Sequence, residues 1–343
     1  MPERDGDARW RAAPARVLGR LARHETLLWW LHSAYVLALG VGIMWLGSRN
    51  FAWLRYSGFY LLAIAVLSLL LADVVNVRAG VWWGRARLAV NYVNKNLYQQ
   101  LLFFILPTYA ASATFGSRNV VFVAVLAAAA VTSTLDLVYD RVLSVRRGFA
   151  AAFFAFNVFA VVNLALPVML GTSTRDSLPI AAAASAAGLV AIACRGRRLV
   201  WWLGPVAAAA LLVFWAADIV RPFVPPAPLR LETTRFGTSM NRATLLVTEP
   251  LPALPEGFAG RVYASTALRA PLGLKERVML QWSRDGRLLR SSAGYGVSGG
   301  RQGGFRLWST VAIAPSSGRG PLTLEVVTEA GQLVGRASLP SAR

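Results

Sequence analysis

The amino-acid sequence predicts an α-helical membrane bundle of about seven transmembrane helices, followed by a small all-β antiparallel sandwich or barrel. Three observations lead to this fold class. Hydrophobic residues make up 56% of the 343 residues and charged residues only 15%, which is a poor balance for a water-soluble protein. Seven apolar stretches approach the ~20 residues that cross a hydrocarbon core. After residue 220, these long runs give way to short alternating segments.

The apolar stretches follow a predicted cytoplasmic amino-terminal segment, residues 1–26. With that segment inside, the predicted inner segments carry 16 Lys and Arg residues and the outer segments carry 4. The positive-inside rule selects this orientation, and an odd number of spans then places the carboxy-terminal part outside the cytoplasm. The predicted spans are Leu27–Leu46, Gly58–Val77, Leu97–Phe115, Val120–Leu137, Phe149–Gly171, Leu178–Cys194 and Leu199–Val220, which together give a transmembrane domain over residues 27–220.

A proline-rich linker, residues 221–230, follows the last predicted span. It favours a stiff, extended chain, because proline fixes φ and cannot continue a helix. We therefore place a domain boundary there and a β-sandwich domain over residues 231–343. Asp285-Gly286 and Ala330-Gly331 are tight-hairpin signals between neighbouring strands. The predicted strands are Arg261–Leu268, Arg277–Ser283, Arg287–Ala293, Phe305–Ile313, Leu322–Thr328 and Gln332–Ser338.

The composition also excludes several classes of site. The one cysteine, Cys194, cannot form an internal disulfide, and only two histidines, His24 and His32, are present. Closed thiolate or imidazole metal sites are therefore not expected, and we expect no cofactor. The formal net charge of +20 is mostly arginine charge that lies between apolar runs. This distribution favours the lipid bilayer, and not nucleic acid, as the partner.

Several segments carry a resemblance to one known family. They are Tyr263-Ala-Ser-Thr-Ala-Leu-Arg-Ala-Pro-Leu-Gly-Leu-Lys-Glu-Arg, Gln281-Trp-Ser-Arg-Asp-Gly, Gly299-Gly-Arg-Gln-Gly-Gly-Phe-Arg-Leu-Trp-Ser, Thr328-Glu-Ala-Gly-Gln-Leu-Val-Gly, Leu101-Leu-Phe-Phe-Ile-Leu-Pro and Leu135-Asp-Leu-Val-Tyr-Asp-Arg. Together they resemble a proteobacterial multi-span inner-membrane family of unknown function with a carboxy-terminal extracytoplasmic β domain. The resemblance implies this architecture, a Gram-negative setting and a periplasmic β domain. It brings no activity with it.

Polar side chains within the predicted spans are candidates for function, because burying a charge in a bilayer costs ~3 kcal/mol or more. One hypothesis is an inward-facing cation or proton site formed by Asp73, Asp136 and Gln99. Asp136 and Asp140 are four residues apart, hence on one helix face, with Arg141 adjacent. The alternative is that these carboxylates lie near the cytoplasmic helix ends and pair with arginines. Their positions favour the second interpretation.

Asn157 and Asn163 are the other polar candidates in the predicted membrane half. They are six residues apart and do not share a helix face, so a single pocket that holds both is not expected. Such amides more often form hydrogen bonds between helices, at ~0.6 kcal/mol each. Pro107 and Pro167 suit either a kinked transporter helix or an ordinary span end.

Arginine beside aromatic residues is the main binding signal in the predicted β domain. Arginine over an aromatic ring suits carboxylate, phosphate or sugar ligands, through forked hydrogen bonds and stacking. If the arginines share one face, they form an anion-binding surface; if they are scattered, the domain has only a general attraction to anionic lipid. Trp282 and Trp308 are predicted to be core residues because both lie in alternating strands. The candidates are Arg269, Arg277, Arg301, Arg306 and Trp308.

Enzymatic motifs are weak. No Ser–His–Asp arrangement is evident, and Gly299-Gly-Arg-Gln-Gly-Gly precedes a predicted strand, which favours a glycine-rich hairpin or bulge over a phosphate-binding loop. We therefore expect a non-enzymatic inner-membrane protein that displays a periplasmic β domain for binding, sensing or envelope-complex assembly. Its partner would be another envelope protein, an anionic glycan or a lipid headgroup. The alternatives are a small-solute or ion transporter and an envelope lipid- or glycan-modifying enzyme.

Overall fold

The computed structural model describes residues 34–35, 38, 99–135, 147–193, 200–301, 303–314 and 320–342. The first two predicted spans, apart from residues 34, 35 and 38, lie outside these ranges. Four of the candidate polar residues also lie outside them: Asp73, Asp136, Asp140 and Arg141.

A helical half precedes the sheets. Its fully buried side chains include Leu102, Tyr109, Leu126 and Leu178, so the first four helices pack around one apolar core. The fifth helix packs against the fourth and contributes Ala217 to that core. The helices are α1 (99–111), α2 (Val120–Thr134), α3 (Arg147–Leu170), α4 (Thr174–Ala193) and α5 (Val200–Val220), and a 3-10 turn, Arg221–Phe223, follows α5.

The prediction of a seven-helix membrane bundle is wrong. The described residues contain five α-helices, and only Ala151–Leu170 and Gly204–Phe223 among them are long and apolar enough to cross a membrane. Helix α2 has 15 residues, fewer than the ~20 that a span needs. In Ala151–Leu170, 56% of the span is buried inside the protein. An apolar run of this length suits a protein core as well as lipid, so counting such runs does not count spans.

Two antiparallel sheets form the second half of the described chain, so the predicted β part is present. The first sheet has the strand order β2-β1-β3-β7, and the second has the order β5-β4-β8-β9, with β6 also paired to β4. The strands are β1 (Arg230–Asn241), β2 (Leu246–Pro250), β3 (Gly260–Arg269), β4 (Lys275–Arg284), β5 (Arg287–Ser291), β6 (Tyr295–Ser298), β7 (Phe305–Ile313), β8 (Leu322–Thr328) and β9 (Leu333–Leu339).

The two sheets face each other across one apolar core. Trp282 of β4 is fully buried, and its indole Nε1 donates a hydrogen bond of 3.0 Å to Ser309 Oγ of β7, in the other sheet. Its ring also packs against Phe236 of β1, with 5.8 Å between the ring centroids. Alternate residues of β4 in one sheet and of β7 in the other point into this core, as the period of a β-strand requires. The fold is therefore a sandwich of two sheets.

Six of the nine strands in the described residues were predicted from alternation, and the bounds of β7 and β8 match the prediction. The Asp285-Gly286 hairpin is confirmed, since both residues have positive φ, at 49° and 76°. Strands β1, β2 and β6 were missed. Register shifts between β1 and its neighbours interrupt the alternation of β1, and β6 has only 4 residues.

The connector between helices and sandwich is packed against both halves. Val224 and Ala227 are buried with the helical core, whereas Leu229 is buried in the sandwich core. The peptide bond between Ala227 and Pro228 is cis, and a 3-10 turn precedes this segment. The connector is therefore a folded, packed segment, and not the extended chain that its prolines predict.

Candidate functional site

One end of the sandwich meets the ends of the helices. Asn119, just before α2, donates from Nδ2 to the carbonyl oxygen of Leu333 at the start of β9, at 3.1 Å. Gln332 donates from Nε2 to the carbonyl oxygen of Val224, at 3.0 Å. Because neighbouring strands are antiparallel, several strand ends lie at this end of the sandwich. They are the first residues of β1, β4, β7 and β9 and the last residues of β3, β6 and β8. We call this region the helix–sandwich junction.

Glu276 of β4 binds the amino terminus of α4 across the junction. Its Oε2 accepts a hydrogen bond of 2.6 Å from the backbone N–H of Thr174, 102 residues away along the chain. The backbone N–H groups of a first helical turn lack acceptors within the helix, and the positive end of the helix dipole favours a carboxylate there. The Glu276 side chain is only 6% exposed. The sandwich therefore completes the capping of a helix in the other half.

The signal that could have identified Glu276 is its position in the strand. Glu276 alternates with Val278, Leu280 and Trp282, so all four side chains point to the buried face of β4. A carboxylate at an inward position needs a buried partner.

Replacing Glu276 should loosen the junction. We expect Glu276→Ala to cost about 1–3 kcal/mol, because it leaves the Thr174 N–H without its acceptor, and Glu276→Gln to cost less, because an amide oxygen can still accept. Hydrogen exchange of the first turn of α4 measures the effect. Asp176→Asn is the control, since Asp176 lies in the same helical turn but is exposed and bonded to Ser173. Equal exchange in the Ala variant and the control would contradict the capping role.

The backbones of the two halves also touch directly. Gly171, which follows α3, has a φ of +67°, and a Cβ atom there would lie 2.5 Å from the carbonyl oxygen of Gly273. Gly273 lies in the connection between β3 and β4. Only a residue without a side chain permits this approach. Together with the Glu276 cap, this contact holds the sandwich in one position on the helices.

The predicted arginines lie on different surfaces of the same end of the sandwich. Arg269 and Arg306 share the outer face of the first sheet, because Arg306 pairs with Ala267, two residues from Arg269. Arg277 lies on the second sheet, and Arg301 lies in the segment before β7. The structure thus brings two of the four onto one face, and all four to the junction end. With two further cations they form what we call the basic collar: Arg230, Arg269, Lys275, Arg277, Arg301 and Arg306.

The collar keeps an excess of positive charge. Glu232 pairs with Arg269 at 3.0 Å and with Arg230 at 3.7 Å, and Glu329 lies 3.6 Å from Arg277. Burial and the neighbouring Arg269 lower the pKa of Arg230, while Glu232 acts in the opposite direction. An arginine nevertheless stays protonated in a protein. The six cations of the collar therefore outnumber the two carboxylates, Glu232 and Glu329, that form these ion pairs. Glu276 does not add a third, because its carboxylate binds the amino terminus of α4.

Trp308 does not lie in the core. It pairs with Ser265 on the outer face of the first sheet, is half-buried, and lies under the guanidinium of Arg242, 5.9 Å from its ring centroid. Trp282 is a core residue, as predicted. Strand alternation divides the side chains of a strand into two faces, but it does not tell which of the two faces packs against the other sheet. Arg301 has an aromatic partner of its own, since its guanidinium lies 4.7 Å from the ring centroid of Phe305.

The polar candidates in the helices are buried and do not form one site. Asn163 donates from Nδ2 to the Tyr109 hydroxyl at 3.1 Å and accepts from Ser177 Oγ at 3.3 Å, so it bridges three helices. Asn157 donates to the carbonyl oxygen of Phe153 at 2.7 Å, within its own helix. Gln99 is buried in α1. Of these three amides, Asn163 is the one whose hydrogen bonds fasten helices together.

Helix α5 exposes apolar side chains around most of its surface. Only 11% of the apolar segment Gly204–Phe223 is buried inside the protein. Leu212, near its middle, is 71% exposed. The exposed large side chains of this segment are Leu211, Leu212, Phe214, Trp215, Ile219, Val220 and Phe223. A continuous apolar surface of this kind indicates contact with a membrane or another apolar partner.

Carboxylates and metal ligands are sparse. Within the residues that the structure describes, no group of three or more His, Cys, Asp or Glu side chains could hold a metal ion. The glycine-rich segment precedes strand β7, as predicted, but it follows β6 of the second sheet while β7 belongs to the first, so the predicted hairpin is not formed. The N–H of Gly300 is bonded to the carbonyl oxygen of Ala270 at 3.1 Å. This backbone contact ties the segment to the connection between β3 and β4.

Comparison with known proteins identifies a family. No curated protein matches the chain. Among solved structures, an immunoglobulin-like protein from Pseudomonas aeruginosa is 13% identical, with 34% of this chain and 98% of that chain covered, at a TM-score of 0.20. The alkylpurine DNA glycosylase AlkC from Pseudomonas fluorescens is 11% identical, with 88% and 99% covered, at a TM-score of 0.23. Neither similarity is close enough to support a conclusion about fold or activity.

The family match covers residues 9–251, which include the five helices described above and strands β1 and β2. The resemblance to a family of unknown function is thereby confirmed. Because the matched residues form well over half of the chain, the chain belongs to the family of unknown function DUF5924.

Proposed function

We propose that this chain is a non-enzymatic membrane protein that holds its β-sandwich at a fixed height above the extracytoplasmic face of a bacterial inner membrane. There the sandwich serves as a binding module for components of the envelope. The observation that carries the proposal is the exposed apolar surface of α5. In water this surface would be costly, at about 25 cal/mol for each Å² of apolar area, whereas in a bilayer it is solvated.

The position of α5 in the fold distinguishes it from a core helix. Its apolar segment has 20 residues, the length that crosses a hydrocarbon core. It ends at Phe223, where the buried connector begins. The bilayer boundary on this side would thus fall next to the junction. The Glu276 cap and the Gly171 contact then orient the sandwich on the membrane surface.

The distribution of arginines supports an extracytoplasmic sandwich. The connections at the sandwich side of the helices contribute Arg118, Arg175 and Arg221. Six arginines lie at the opposite ends of the helices, either between α2 and α3, at the first residue of α3, or between α4 and α5. They are Arg141, Arg146, Arg147, Arg195, Arg197 and Arg198. Short connections rich in arginine tend to stay in the cytoplasm, whereas a folded domain crosses largely regardless of its charge.

A pair of arginine substitutions tests whether lipid surrounds α5. Leu212 and Leu288 are both exposed, at 71% and 57%, but Leu288 lies in β5, at the other end of the sandwich. In water, either Leu→Arg change would be tolerated. In a bilayer, Leu212→Arg costs about 3 kcal/mol at the middle of a span and should impair insertion, while Leu288→Arg should not. The readout is a reporter enzyme that is active only outside the cytoplasm, fused after Arg343.

We expect full reporter activity for the wild type and for Leu288→Arg, and a clear loss of activity for Leu212→Arg. The wild type and the Leu288→Arg variant should also remain in alkali-washed membranes. An inactive reporter in the wild type would show that the orientation is wrong. Equal activity and equal membrane retention of the two arginine variants would show that α5 is not inserted.

A further inference from the structure

The junction end of the sandwich combines positive charge with exposed apolar side chains. Beyond the helix α5, three large apolar residues at this end point into solvent: Phe115 is 91% exposed, Leu272 is 72% exposed and Leu170 is 68% exposed. Phe115 lies in the connection between α1 and α2, and Leu170 is the last residue of α3. We call these three residues the apolar rim. They adjoin residues that connect the two halves.

Leu272 is held in its exposed position by backbone contacts. It lies between Pro271 and Gly273, in the connection from β3 to β4. The neighbouring segment packs against it so closely that a Cβ atom on Gly300 would lie 2.5 Å from a methyl carbon of Leu272. Arg301 follows Gly300 directly. An apolar side chain and a cation therefore project from adjoining backbone segments at the tip of the sandwich.

With α5 inserted as proposed, the collar would lie at the level of the lipid headgroups. Its strand residues occupy the first three or the last position of their strands, so they lie within about 10 Å of the junction end, at ~3.3 Å per residue. The headgroup layer of one leaflet is roughly 5–8 Å thick. The apolar segment of α5 ends at Phe223, seven residues before Arg230, the first residue of β1.

The occupant that fits both features is the anionic leaflet itself. Arginine forms forked hydrogen bonds to phosphate, and exposed leucine and phenylalanine side chains favour the boundary between headgroups and acyl chains. A soluble anion would satisfy the collar but leave the rim in water. A lipid headgroup with its chains satisfies both.

We propose that the basic collar and the apolar rim form a binding surface for anionic phospholipid headgroups in the leaflet on the sandwich side. This inference rests on the proposed membrane anchor. The cations of the collar bind the lipid phosphates, and Leu272 and Phe115 lie among the headgroups. The collar thereby selects anionic lipid around the protein and fixes the sandwich against the membrane.

The test uses the full chain in lipid nanodiscs that contain phosphatidylcholine and, as about one lipid in three, phosphatidylglycerol. Cys194 is first replaced by serine, and one cysteine is introduced for a fluorescent label at Leu212, Leu272 or Leu288. Spin-labelled lipids then quench the fluorescence of labels that lie near them. We expect quenching of the Leu212 label by probes deep in the chains, quenching of the Leu272 label by probes near the headgroups, and none for Leu288.

Charge selectivity is measured at the Leu272 label as the ratio of quenching by spin-labelled phosphatidylglycerol to quenching by spin-labelled phosphatidylcholine. Each arginine near an anionic surface contributes roughly a five-fold preference, so Arg301→Gln with Arg306→Gln should lower the ratio by at least about ten-fold. Arg287→Gln with Arg290→Gln is the matched control. These two exposed arginines lie in β5, which pairs with the far end of β4. At more than about 15 Å from the collar they lie beyond the Debye length.

The outcomes separate the two proposals. A Leu212 label without quenching would overturn the membrane anchor and, with it, the lipid-binding surface. Quenching at Leu212 without quenching at Leu272 would leave the anchor intact and overturn the surface. Quenching at Leu272 with a ratio near one, or with equal effects of the two arginine pairs, would overturn the role of the collar in lipid selection.

Discussion

Replacing Trp282 with alanine is expected to destabilise the sandwich by about 3–5 kcal/mol. The indole is fully buried between the sheets, where it packs on Phe236 and donates to the Ser309 hydroxyl at 3.0 Å. Its removal leaves a cavity that the neighbouring strands cannot fill without moving, and it takes the indole donor away from a buried hydroxyl. Since a domain of this size is stable by only about 5–15 kcal/mol, a large part of its stability is lost.

The measurement is the free energy of opening of β4, β7 and β8, obtained by hydrogen exchange in the full chain. Trp308→Ala is the matched control, because it removes the same side chain from the outer face of β7, where the indole is half-buried. We expect this variant to cost clearly less. If the two substitutions cost the same, Trp282 does not have the central packing role that its burial indicates.

Gly171→Ala is expected to disrupt the helix–sandwich junction, at a total cost of about 3 kcal/mol. Part of this cost comes from the backbone, because a φ of +67° is unfavourable for any residue with a Cβ atom. The rest comes from the clash of that atom with the Gly273 carbonyl oxygen, at 2.5 Å. Backbone atoms on both sides have to shift, and the Glu276 cap lies three residues beyond Gly273.

Gly116→Ala separates the two contributions. Gly116 lies between α1 and α2 and has a φ of +80°, but a Cβ atom there would meet nothing within 4 Å. We expect it to cost about 1–2 kcal/mol, the backbone contribution alone. Hydrogen exchange over residues 172–177 and 270–276 should accelerate in the Gly171 variant only. Equal effects of both glycine substitutions would mean that the contact with Gly273 is not important for docking of the sandwich.

Strand pattern and turn chemistry are local properties, and the sequence by itself determined them. Alternating apolar residues placed β7 and β8 at their observed bounds, because one face of each strand is buried. Asp285-Gly286 predicted a hairpin because few other residue pairs accept two positive φ angles. Trp282 was correctly assigned to the core on the same alternation. Strands β1 and β6 were not predicted. In β1 a bulge interrupts the two-residue alternation, and β6 has only four residues, which are too few to show an alternation.

The tertiary structure decided which apolar helix is buried and which cations meet. Helices α3 and α5 have similar apolar runs, yet 56% of the first apolar segment and 11% of the second are buried, because burial depends on which helices pack beside each one. The Glu276 cap joins residues 102 positions apart, and the collar gathers cations from several strands. Such contacts follow from strand order and register, which are set by the packing of the whole chain, and a local sequence pattern carries no information about them.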